Sequence, residues 1–207
     1  MKNRRLVFIV SYNSSKKILD IYNKLLKIDY PKFDVFLSDD NSNDDTKKYI
    51  KLIKNKKFKI KLNKKNLGYG GNIKRCISFA YKNKYDYAIM IHGDDQYDVK
   101  YIKKIFEKLN DKNIAAITGS RMYKKEMALK GGMPFYKFLG NIVLTKIFNF
   151  FFRTNFTEAH TGLWGYNLKK IKNINLNKLD NNYNFDSQLR ILITRKLLKI
   201  SLKNQSK

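Results

Sequence analysis

A short polar turn after the apolar run at residues 87–91 carries side chains that could bind a metal ion. Its sequence is His92-Gly93-Asp94-Asp95-Gln96. Carboxylate and amide oxygens are the hard ligands that Mg²⁺ or Mn²⁺ prefers, and alternate residues of an extended segment point to one side. Asp94 and Gln96 are therefore predicted to face one ion, which could bridge two phosphates and stabilise a departing diphosphate. His92 could add a ligand, although a lone His at a strand end is more often a hydrogen-bonded structural residue.

A second acidic loop, at residues 38–46, follows the apolar run at residues 33–37. It concentrates carboxylates in a chain that has 17 Asp and Glu against 44 Lys and Arg. The acids late in the loop can be explained as a helix N-cap. Asp39 and Asp40 lie earlier, at the carboxyl end of the predicted strand, where open α/β sheets bind ligands. A carboxylate there could accept the N–H groups of a nucleobase.

Two further motifs give weaker indications. The turn Gly68-Tyr69-Gly70-Gly71 lacks the Gly-Lys-Ser/Thr of a phosphate loop and the third glycine of a dinucleotide fingerprint. It precedes a helix N-terminus, where backbone amides from Gly68 onward could approach an anion, and a plain turn is the alternative. A zinc site made from His92, His160 and Glu158 would have no recognisable spacing.

Apolar runs alternate with segments in which apolar residues recur at helical spacing, which predicts strands alternating with helices. Strands are predicted at residues 6–10, 33–37, 58–62, 87–91 and 114–118, and helices at 18–26, 49–53, 73–80 and 99–109. The strands are almost continuously apolar, as burial on both faces of a parallel sheet requires. The predicted fold class is α/β, a three-layer sandwich with a mostly parallel central sheet.

The most apolar stretch of the chain is residues 133–152. Lys137, Asn141, Lys146 and Asn149 interrupt it, so it does not fit a bilayer-spanning helix of roughly 20 apolar residues. Its mixture of basic and aromatic residues suits an amphipathic helix at a membrane surface. An ordinary core helix and the seam of a homo-oligomer are the alternatives. Because no internal repeat or linker divides the sequence, residues 1–207 are expected to form a single domain.

The net charge of +27 suggests a polyanion partner, either nucleic acid or an acidic membrane surface. Most of the basic residues are Lys, not the Arg that is favoured for bidentate recognition of bases and phosphates. They are spread through nearly every segment, so we expect no specific nucleic-acid binding, only attraction to anionic lipids or phosphorylated ligands. The single cysteine, Cys76, and the short apolar run near Met1 predict a cytoplasmic protein without a signal peptide.

Several motifs in order along the chain resemble family 2 glycosyltransferases of the GT-A fold. They are Ser11-Tyr12-Asn13, Asp39-Asp40-Asn41-Ser42, Asn66-Leu67-Gly68, Asp94-Asp95-Gln96, Gly119-Ser120-Arg121 and Glu158-Ala159-His160-Thr161-Gly162. The likeness covers nearly the whole chain and is specifically to the polyprenol-phosphate sugar transferases, which include dolichol-phosphate mannosyltransferase. A late helix start at residues 184–188 also resembles this branch, whose members usually continue past the equivalent of Ile200 with a further strand and often with membrane helices.

The resemblance implies that the donor nucleotide binds the loops after the first strands, with Arg121 near its phosphates. The other residues implied in donor binding are Ser11, Tyr12, Asn13, Asp39, Asp40 and Gly68. Glu158 is the candidate catalytic base, and Asp94 is catalytic through its metal ion. Lys130 and Lys137 fall where the branch holds basic residues near an acceptor phosphate. His92 replaces the first aspartate of the family's metal motif, which leaves the ion fewer anionic ligands or an imidazole.

The predicted function is inverting transfer of a sugar from a nucleotide-diphosphate sugar to an acceptor, with Mg²⁺ or Mn²⁺ as cofactor. The resemblance implies polyprenyl phosphate as the acceptor, and the oxygen of such a phosphate is ionised near neutral pH and could attack without a strong base. The protein is then expected at the inner face of the membrane, in cell-envelope glycan synthesis. The alternatives are transfer to a soluble or polysaccharide acceptor, a catalytically weak relative shortened at its C-terminus, and, remotely, a basic nucleic-acid-binding module.

Overall fold

The computed structural model describes residues 3–29, 31–123, 125–130, 132–159 and 161–205, without the side chains of residues 125, 127, 130 and 196–205. Its strands are β1 (Arg5–Ser11), β2 (Asp34–Asp39), β3 (Phe58–Leu62), β4 (Tyr87–His92), β5 (Ala116–Thr118) and β6 (Trp164–Asn167). Its helices are α1 (Lys17–Leu26), α2 (Thr46–Ile50), α3 (Tyr69–Lys82), α4 (Tyr101–Leu109), α5 (Lys125–Lys130), α6 (Phe135–Phe152), α7 (Leu168–Ile171) and α8 (Phe185–Gln205), with a 3-10 turn at Leu176–Lys178. All the strands and helices predicted between residues 6 and 118 are confirmed.

Six strands form one sheet in the order β3-β2-β1-β4-β6-β5. The strands β3, β2, β1 and β4 run parallel to one another, whereas β6 runs antiparallel to both β4 and β5. The carboxyl ends of β1, β2, β4 and β5 therefore meet the beginning of β6 at one edge of the sheet. The predicted mostly parallel sheet is confirmed.

Helices cover both faces of this sheet. Phe8 and Ile9 are adjacent in β1 and fully buried, yet they belong to different core clusters, because successive strand residues point to opposite faces. The cluster with Phe8 includes apolar residues of α3 and α8, such as Ile77 and Leu189. The cluster with Ile9 includes residues of α1, α2 and α4, such as Ile105. The three-layer sandwich is therefore confirmed.

The strand β6 has no counterpart among the predicted strands. Its four residues include Gly165 and Asn167, and Gly and Asn are depleted in strands. A Cβ atom at Gly165 would lie 2.4 Å from Cγ2 of Ile105 in α4, so close packing requires glycine there. The intrinsic strand propensity of these residues is weak, so β6 is stabilised by its pairing with β4 and β5 and by its contact with α4.

The helix α6 turns large apolar side chains outward. Thr145 and Phe148 are buried, whereas Phe150 is 81% exposed and Phe151 is 72% exposed. The interpretation of this stretch as an ordinary core helix is therefore wrong, since packing against the rest of the domain leaves most of its apolar side chains accessible. In the described part of the chain, no helix has both the length and the apolar character needed to cross a bilayer.

The inward face of α6 carries, beside the buried ring of Phe148, three polar residues spaced four apart: Asn141, Thr145 and Asn149. The Thr145 hydroxyl donates to Oδ1 of Asn141 and accepts from the backbone N–H of Ala159, both at 3.1 Å. The Asn149 amide donates to the carbonyl of Phe156 at 2.8 Å, and its Oδ1 accepts from the N–H of Phe156 at 3.0 Å. These hydrogen bonds hold α6 against the irregular segment at residues 154–159.

Candidate active site

The acidic loops predicted from the sequence meet at one edge of the sheet. Ser11 at the end of β1 is in register with Asp39 at the end of β2. Val10 is in register with His92 at the end of β4. Parallel pairing therefore brings the loops after these three strands together, at the place where open α/β sheets bind ligands.

Asp39 shapes the loops after β1 and β2. Its fully buried carboxylate accepts hydrogen bonds from the backbone N–H and the hydroxyl of Ser42 at 3.0 and 2.5 Å, and from the hydroxyl of Ser11 at 3.4 Å. The Ser42 oxygen in turn accepts from the backbone N–H of Asn13 at 2.9 Å. Both oxygens of Asp39 are engaged inside the protein. These contacts suit Asp39 for fixing the two loops, and its direct contact with a base stays a prediction.

Asp40 is placed differently, with one oxygen left for a ligand. Its Oδ1 accepts from the side-chain amide of Asn63 at 2.8 Å and from the backbone N–H of Leu67 at 2.9 Å. Among the described residues, none donates a hydrogen bond to Oδ2. This oxygen has the capacity to accept a further hydrogen bond, and base binding by Asp40 stays a prediction.

The loop after β1 is bonded to the loop after β2. Asn13 has a φ of 50°, in the left-handed region that Asn tolerates better than most residues. Its Oδ1 accepts from the backbone N–H of Asn43 at 3.1 Å. Tyr12 is half exposed, and an aromatic ring at this edge could stack on a base.

The turn after β4 lies close to the loop after β1. A Cβ atom at Gly93 would lie 2.4 Å from Oγ of Ser14, so the approach requires glycine. Asp95, at a φ of 57°, forms an ion pair of 2.5 Å with Lys24 of α1. The ion pair anchors the turn to α1 and directs Asp95 to that helix.

Asp94 and Gln96 supply the oxygen donors that Mg²⁺ or Mn²⁺ prefers, so their chemistry fits a hard divalent cation. Oδ1 of Asp94 accepts from the backbone N–H of Gln96 at 3.2 Å, and the Gln96 side chain is exposed. No three His, Cys, Asp or Glu side chains of the described ranges are grouped as a metal centre. A cation here would therefore be held by few protein ligands together with oxygens of a bound diphosphate.

His92 sits between aromatic rings at the end of β4. Its Nε2 lies 3.0 Å from the hydroxyl oxygen of Tyr69, and the Tyr97 ring meets it edge-on at 5.9 Å between centroids. Burial lowers the pKa of His92, and the nearby charge of Asp94 opposes that shift while the charge of Arg121 adds to it. The imidazole is therefore neutral at pH 7.

Glu158 and Arg121 form an ion pair beside this turn. Oε1 of Glu158 accepts from Nε and Nη2 of Arg121 at 3.0 and 2.5 Å and from Nδ2 of Asn141 at 3.1 Å. Its Oε2 accepts from the backbone N–H of Arg121 at 2.6 Å, and the Glu158 side chain is 0% exposed. Hydrogen bonds hold both oxygens of this carboxylate beside Arg121 and Asn141. The geometry suits Glu158 for positioning Arg121, and its role as the catalytic base stays a prediction.

The Arg121 guanidinium lies near the acidic turn. Its carbon is 5.8 Å from the centroid of the Tyr97 ring. The charges of Asp94 and Arg121 are also close enough to act on each other. A fixed positive charge here suits the phosphates of a donor, as the sequence comparison implied.

Four side chains around the site had no role assigned from the sequence: Tyr69, Tyr97, Asn141 and Arg190. Arg190 of α8 is 1% exposed, and its Nη1 donates to the carbonyl of Glu158 at 3.0 Å. Its guanidinium also lies 4.7 Å from the ring centroids of Phe156 and Trp164. The only sequence signal for Arg190 was an isolated charge in an apolar part of α8.

The glycine turn before α3 is occupied by protein backbone. The carbonyl of Asn181 accepts the N–H groups of Gly70 at 2.8 Å and of Gly71 at 3.3 Å. Gly68 has a φ of 77°, and a Cβ atom there would lie 2.5 Å from the same carbonyl oxygen. The N–H of Gly68 donates to Oδ1 of Asn66 at 2.7 Å. These three amides therefore have partners within the protein, and anion binding from Gly68 onward stays a prediction.

The predicted acceptor lysines lie on or before α6. Lys137 is exposed and lies one helical turn before Asn141, so both share one face of the helix, and Asn141 contacts Glu158. The side chain of Lys130 and the whole of His160 lie outside the described residues. A role for Lys130 and the zinc alternative with His160 therefore stay predictions.

Comparison with known proteins agrees with this fold. The family described as Glycosyl transferase family 2 matches residues 6–175. An uncharacterised protein of Methanocaldococcus jannaschii is 36% identical over 123 residues, which are 58% of this chain and 52% of that protein.

Solved structures share the GT-A fold at low sequence identity. The mannosyltransferase PcManGT from Pyrobaculum calidifontis, in complex with GDP-Man and Mn²⁺, has a TM-score of 0.60 and 12% identity, over 91% of this chain and 52% of its own. The glucosyl-3-phosphoglycerate synthase of Mycobacterium tuberculosis has a TM-score of 0.65 and 12% identity, over 95% of this chain and 67% of its own. Residues 1–349 of TarS from S. aureus have a TM-score of 0.58 and 18% identity, over 94% of this chain and 55% of that one.

The chain spans about half the length of the Methanocaldococcus and Pyrobaculum proteins that it matches. The neighbours have different names and ligands, so the polyprenol-phosphate branch stays a prediction. The family match covers most of the chain, and its range includes both acidic loops and the Arg121–Glu158 pair. This chain belongs to glycosyl transferase family 2.

Proposed function

We propose that this protein transfers a sugar, with inversion, from a nucleotide-diphosphate sugar to polyprenyl phosphate, assisted by Mg²⁺ or Mn²⁺. The observation that carries the choice of acceptor is the full engagement of Glu158 by Arg121 and Asn141. A hydroxyl acceptor needs a base to remove its proton during attack. A phosphate oxygen is already ionised near neutral pH and needs none.

The donor binds at the loops after β1, β2 and β4. Oδ2 of Asp40 accepts an N–H of the base, and the exposed ring of Tyr12 stacks on it. Asp94 and Gln96 hold the divalent cation, which when bound stabilises the charge on the departing diphosphate as a Lewis acid. Arg121, held by Glu158, adds a fixed positive charge beside the same diphosphate.

The reaction is a direct displacement at the anomeric carbon. The acceptor phosphate oxygen attacks opposite the diphosphate, so one C–O bond forms while the C–O bond to the diphosphate breaks. The bonding pair leaves with the nucleoside diphosphate, and the configuration inverts. Protons need not move. Lys137, one turn from Asn141, supplies a point charge for the acceptor phosphate.

The exposed face of α6 supports a lipid-linked acceptor and contact with the cytoplasmic side of a membrane. Large exposed apolar side chains on this helix are Phe135, Tyr136, Leu139, Val143, Leu144, Ile147, Phe150 and Phe151. An apolar helix surface flanked by lysines is suited to the boundary between headgroups and acyl chains. The net charge of +27 adds attraction to anionic lipids.

The test is a transfer assay with the full chain, Mn²⁺ and a panel of nucleotide sugars. Vesicles of anionic lipid carry either polyprenyl phosphate or the unphosphorylated polyprenol. We expect a sugar product with polyprenyl phosphate alone, together with an equal amount of nucleoside diphosphate. Transfer to polyprenol or to a soluble glycan would overturn the acceptor, and absence of transfer with every donor would overturn the proposed activity.

A matched pair of variants tests the donor site in the same assay. Asp40→Asn removes the carboxylate that faces the base, and we expect weaker nucleotide binding, with KM raised roughly tenfold or more. Asp45→Asn changes an exposed acid of the same loop that makes no side-chain cap hydrogen bond to α2. The control should keep wild-type KM, and an equal effect of both variants would argue against Asp40 as the base-binding residue.

A further inference from the structure

A chain of hydrogen bonds connects the turn after β4 with α8. Nε2 of His92 lies 3.0 Å from the Tyr69 hydroxyl oxygen. The Tyr69 hydroxyl donates to Oδ2 of Asp186 at 2.6 Å. The three residues come from β4, α3 and α8, so the tertiary fold alone brings them together. The proposed transfer assigns no role to these three residues.

The positions of the protons follow from the donors that are present. At pH 8 Asp186 is ionised, and a carboxylate only accepts, so the single proton of the Tyr69 hydroxyl points to Asp186. The Tyr69 oxygen can then only accept from His92, so Nε2 of His92 carries a proton. A neutral imidazole has one protonated nitrogen, which leaves a lone pair on Nδ1. Nδ1 has no hydrogen-bond partner among the described residues.

We propose that Tyr69 and Asp186 are positioning residues that hold His92 with Nδ1 unprotonated, so that Nδ1 joins Asp94 as a ligand of the divalent cation. The inference rests on the proposed metal-assisted transfer and deepens it. Histidines that bind metals usually donate their other ring N–H to an oxygen acceptor, which fixes the tautomer and the orientation of the ring. His92 has this arrangement, with a tyrosine hydroxyl as the acceptor.

Packing also fixes the plane of the imidazole. A Cβ atom at Gly162 would lie 2.3 Å from Cε1 of His92, so glycine leaves room for the ring. The backbone N–H of Gly162 donates to the Tyr97 hydroxyl at 2.7 Å, which holds both neighbours of the ring in place. The Asp94 carboxylate is near enough for its charge to act on His92.

A nitrogen ligand changes which cation the site prefers. Mg²⁺ takes oxygen ligands and dehydrates reluctantly, whereas imidazole suits first-row transition ions. In the presence of a nucleoside diphosphate we expect Mn²⁺ to bind at least tenfold more tightly than Mg²⁺. The variant His92→Asp restores an all-oxygen set of ligands, and it should remove most of that difference.

The tautomer can be measured directly in the metal-free protein. The chain has two histidines, so protein labelled with ¹⁵N-histidine gives two imidazole patterns in a long-range ¹H–¹⁵N correlation spectrum at pH 8. His160→Gln assigns them. We expect the Nε2–H tautomer for His92, and a change towards a mixture of tautomers in Tyr69→Phe. A His92 with the proton on Nδ1 would overturn the inference, whatever the enzyme transfers.

Metal binding gives the second readout. Calorimetric titration of Mn²⁺ into protein saturated with a nucleoside diphosphate should show a loss of roughly tenfold in affinity for Tyr69→Phe, as for other outer-shell partners of metal-bound histidines. Tyr123→Phe removes an exposed tyrosine hydroxyl outside the site and should bind Mn²⁺ as the wild type does. The Tyr69→Phe effect should vanish in the His92→Asp background.

These outcomes separate the inference from the proposed function. If the wild type binds nucleoside diphosphate equally well without any divalent cation, the metal-assisted mechanism fails. If binding needs Mn²⁺ but is unchanged by Tyr69→Phe, only the positioning role of Tyr69 and Asp186 fails. Thermal unfolding of each variant separates loss of the fold from loss of the ligand, and the spectrum of the wild type tests the tautomer without any substitution.

Discussion

The two parts of the site that we propose for the donor and for the acceptor, called here the donor half and the acceptor half, are built in opposite ways. In the donor half, formed by the loops after β1, β2 and β4, carboxylates stand at the ends of apolar strands and are bonded to neighbouring loops. In the acceptor half, formed by α6 and residues 154–159, the helix turns Asn141, Thr145 and Asn149 inward and its large apolar side chains outward. The loops of the donor half are therefore fixed to one another by hydrogen bonds within the protein. The acceptor half presents an apolar surface, which suits a lipid.

The helix α8 joins the two halves. Asp186 contacts Tyr69 on the donor side, and Arg190, one turn later, contacts the Glu158 carbonyl on the acceptor side. Both side chains are partly unsatisfied: Oδ1 of Asp186 and two nitrogens of Arg190 are buried without a hydrogen-bond partner in the described structure. Such groups usually bind ordered water. The contact between the halves is therefore polar and buried.

The largest expected effect is in the donor half. Asp94→Asn should lower kcat/KM roughly 1000-fold, about 4 kcal/mol of transition-state stabilisation, because it removes the anionic ligand of the cation. Its fold should be kept, since among the described residues the Asp94 side chain accepts one hydrogen bond, from the N–H of Gln96, and an asparagine oxygen can still accept it. Initial rates of transfer check this. Asp98→Asn, an exposed acid paired with exposed Lys100, is the control and should stay within about twofold of the wild type.

The ion pair of the acceptor half should act mainly on stability. Glu158→Gln removes the buried negative charge that accepts three hydrogen bonds from Arg121, and we expect a loss of about 3 kcal/mol in the free energy of unfolding, measured by urea denaturation. Glu107→Gln, on the exposed face of α4, should change it little. If Glu158→Gln kept full stability but abolished transfer across the whole pH range, Glu158 would be the base and the contrast between the halves would break.

Asp186 allows the contact between the halves to be probed through pH. Burial raises its pKa from 3.8 to about 6, against the opposing hydrogen bond from Tyr69 and the charge of Arg190. Between these values the folded state holds a proton that the unfolded state has released, so the free energy of unfolding falls as pH rises from about 4 to 6. Above pH 6 the penalty is complete, about 3 kcal/mol.

Urea denaturation at a series of pH values measures that slope. Asp186→Asn should remove the decline between pH 4 and 6, whereas Asp20→Asn, on the exposed face of α1, should leave it as in the wild type. A decline that persists in Asp186→Asn would assign the titration to another group. The buried Asp186 would then not contribute to the pH dependence expected of the polar contact that α8 makes between the halves.

The smallest effect concerns the outer surface of α6. Replacing Phe150 and Phe151 together by Ser should weaken binding to anionic vesicles about tenfold, because less apolar surface enters the membrane. Stability should hardly change, since both rings are exposed. Leu52→Ser, an exposed apolar residue beside α2, is the control for general loss of apolar surface. If the wild type does not sediment with the vesicles, the proposal that α6 contacts a membrane and a lipid-linked acceptor fails.

Local pattern was enough to predict most of the fold. The strands β1 to β5 and the helices α1 to α4 follow from apolar periodicity. A strand buried on both faces has a continuous apolar run, and a helix buried on one face has apolar residues at helical spacing. The strand β6 could not be predicted, since Gly165 is selected by the distance to Ile105 and not by strand propensity. The orientation of α6 could not be predicted either. With Lys and Asn spread among its apolar residues, the sequence does not show which side of the helix packs against the domain and which is exposed.

The sequence by itself determined the family, the α/β fold and the positions of the acidic loops, since these depend on residue types at fixed places along strands. Only the tertiary structure decided what each polar group does. It paired Glu158 with Arg121, closed the glycine turn with the carbonyl of Asn181, and connected His92 through Tyr69 to Asp186. The physical reason is that a hydrogen bond depends on ångström distances between residues up to 117 positions apart, which residue order does not encode locally.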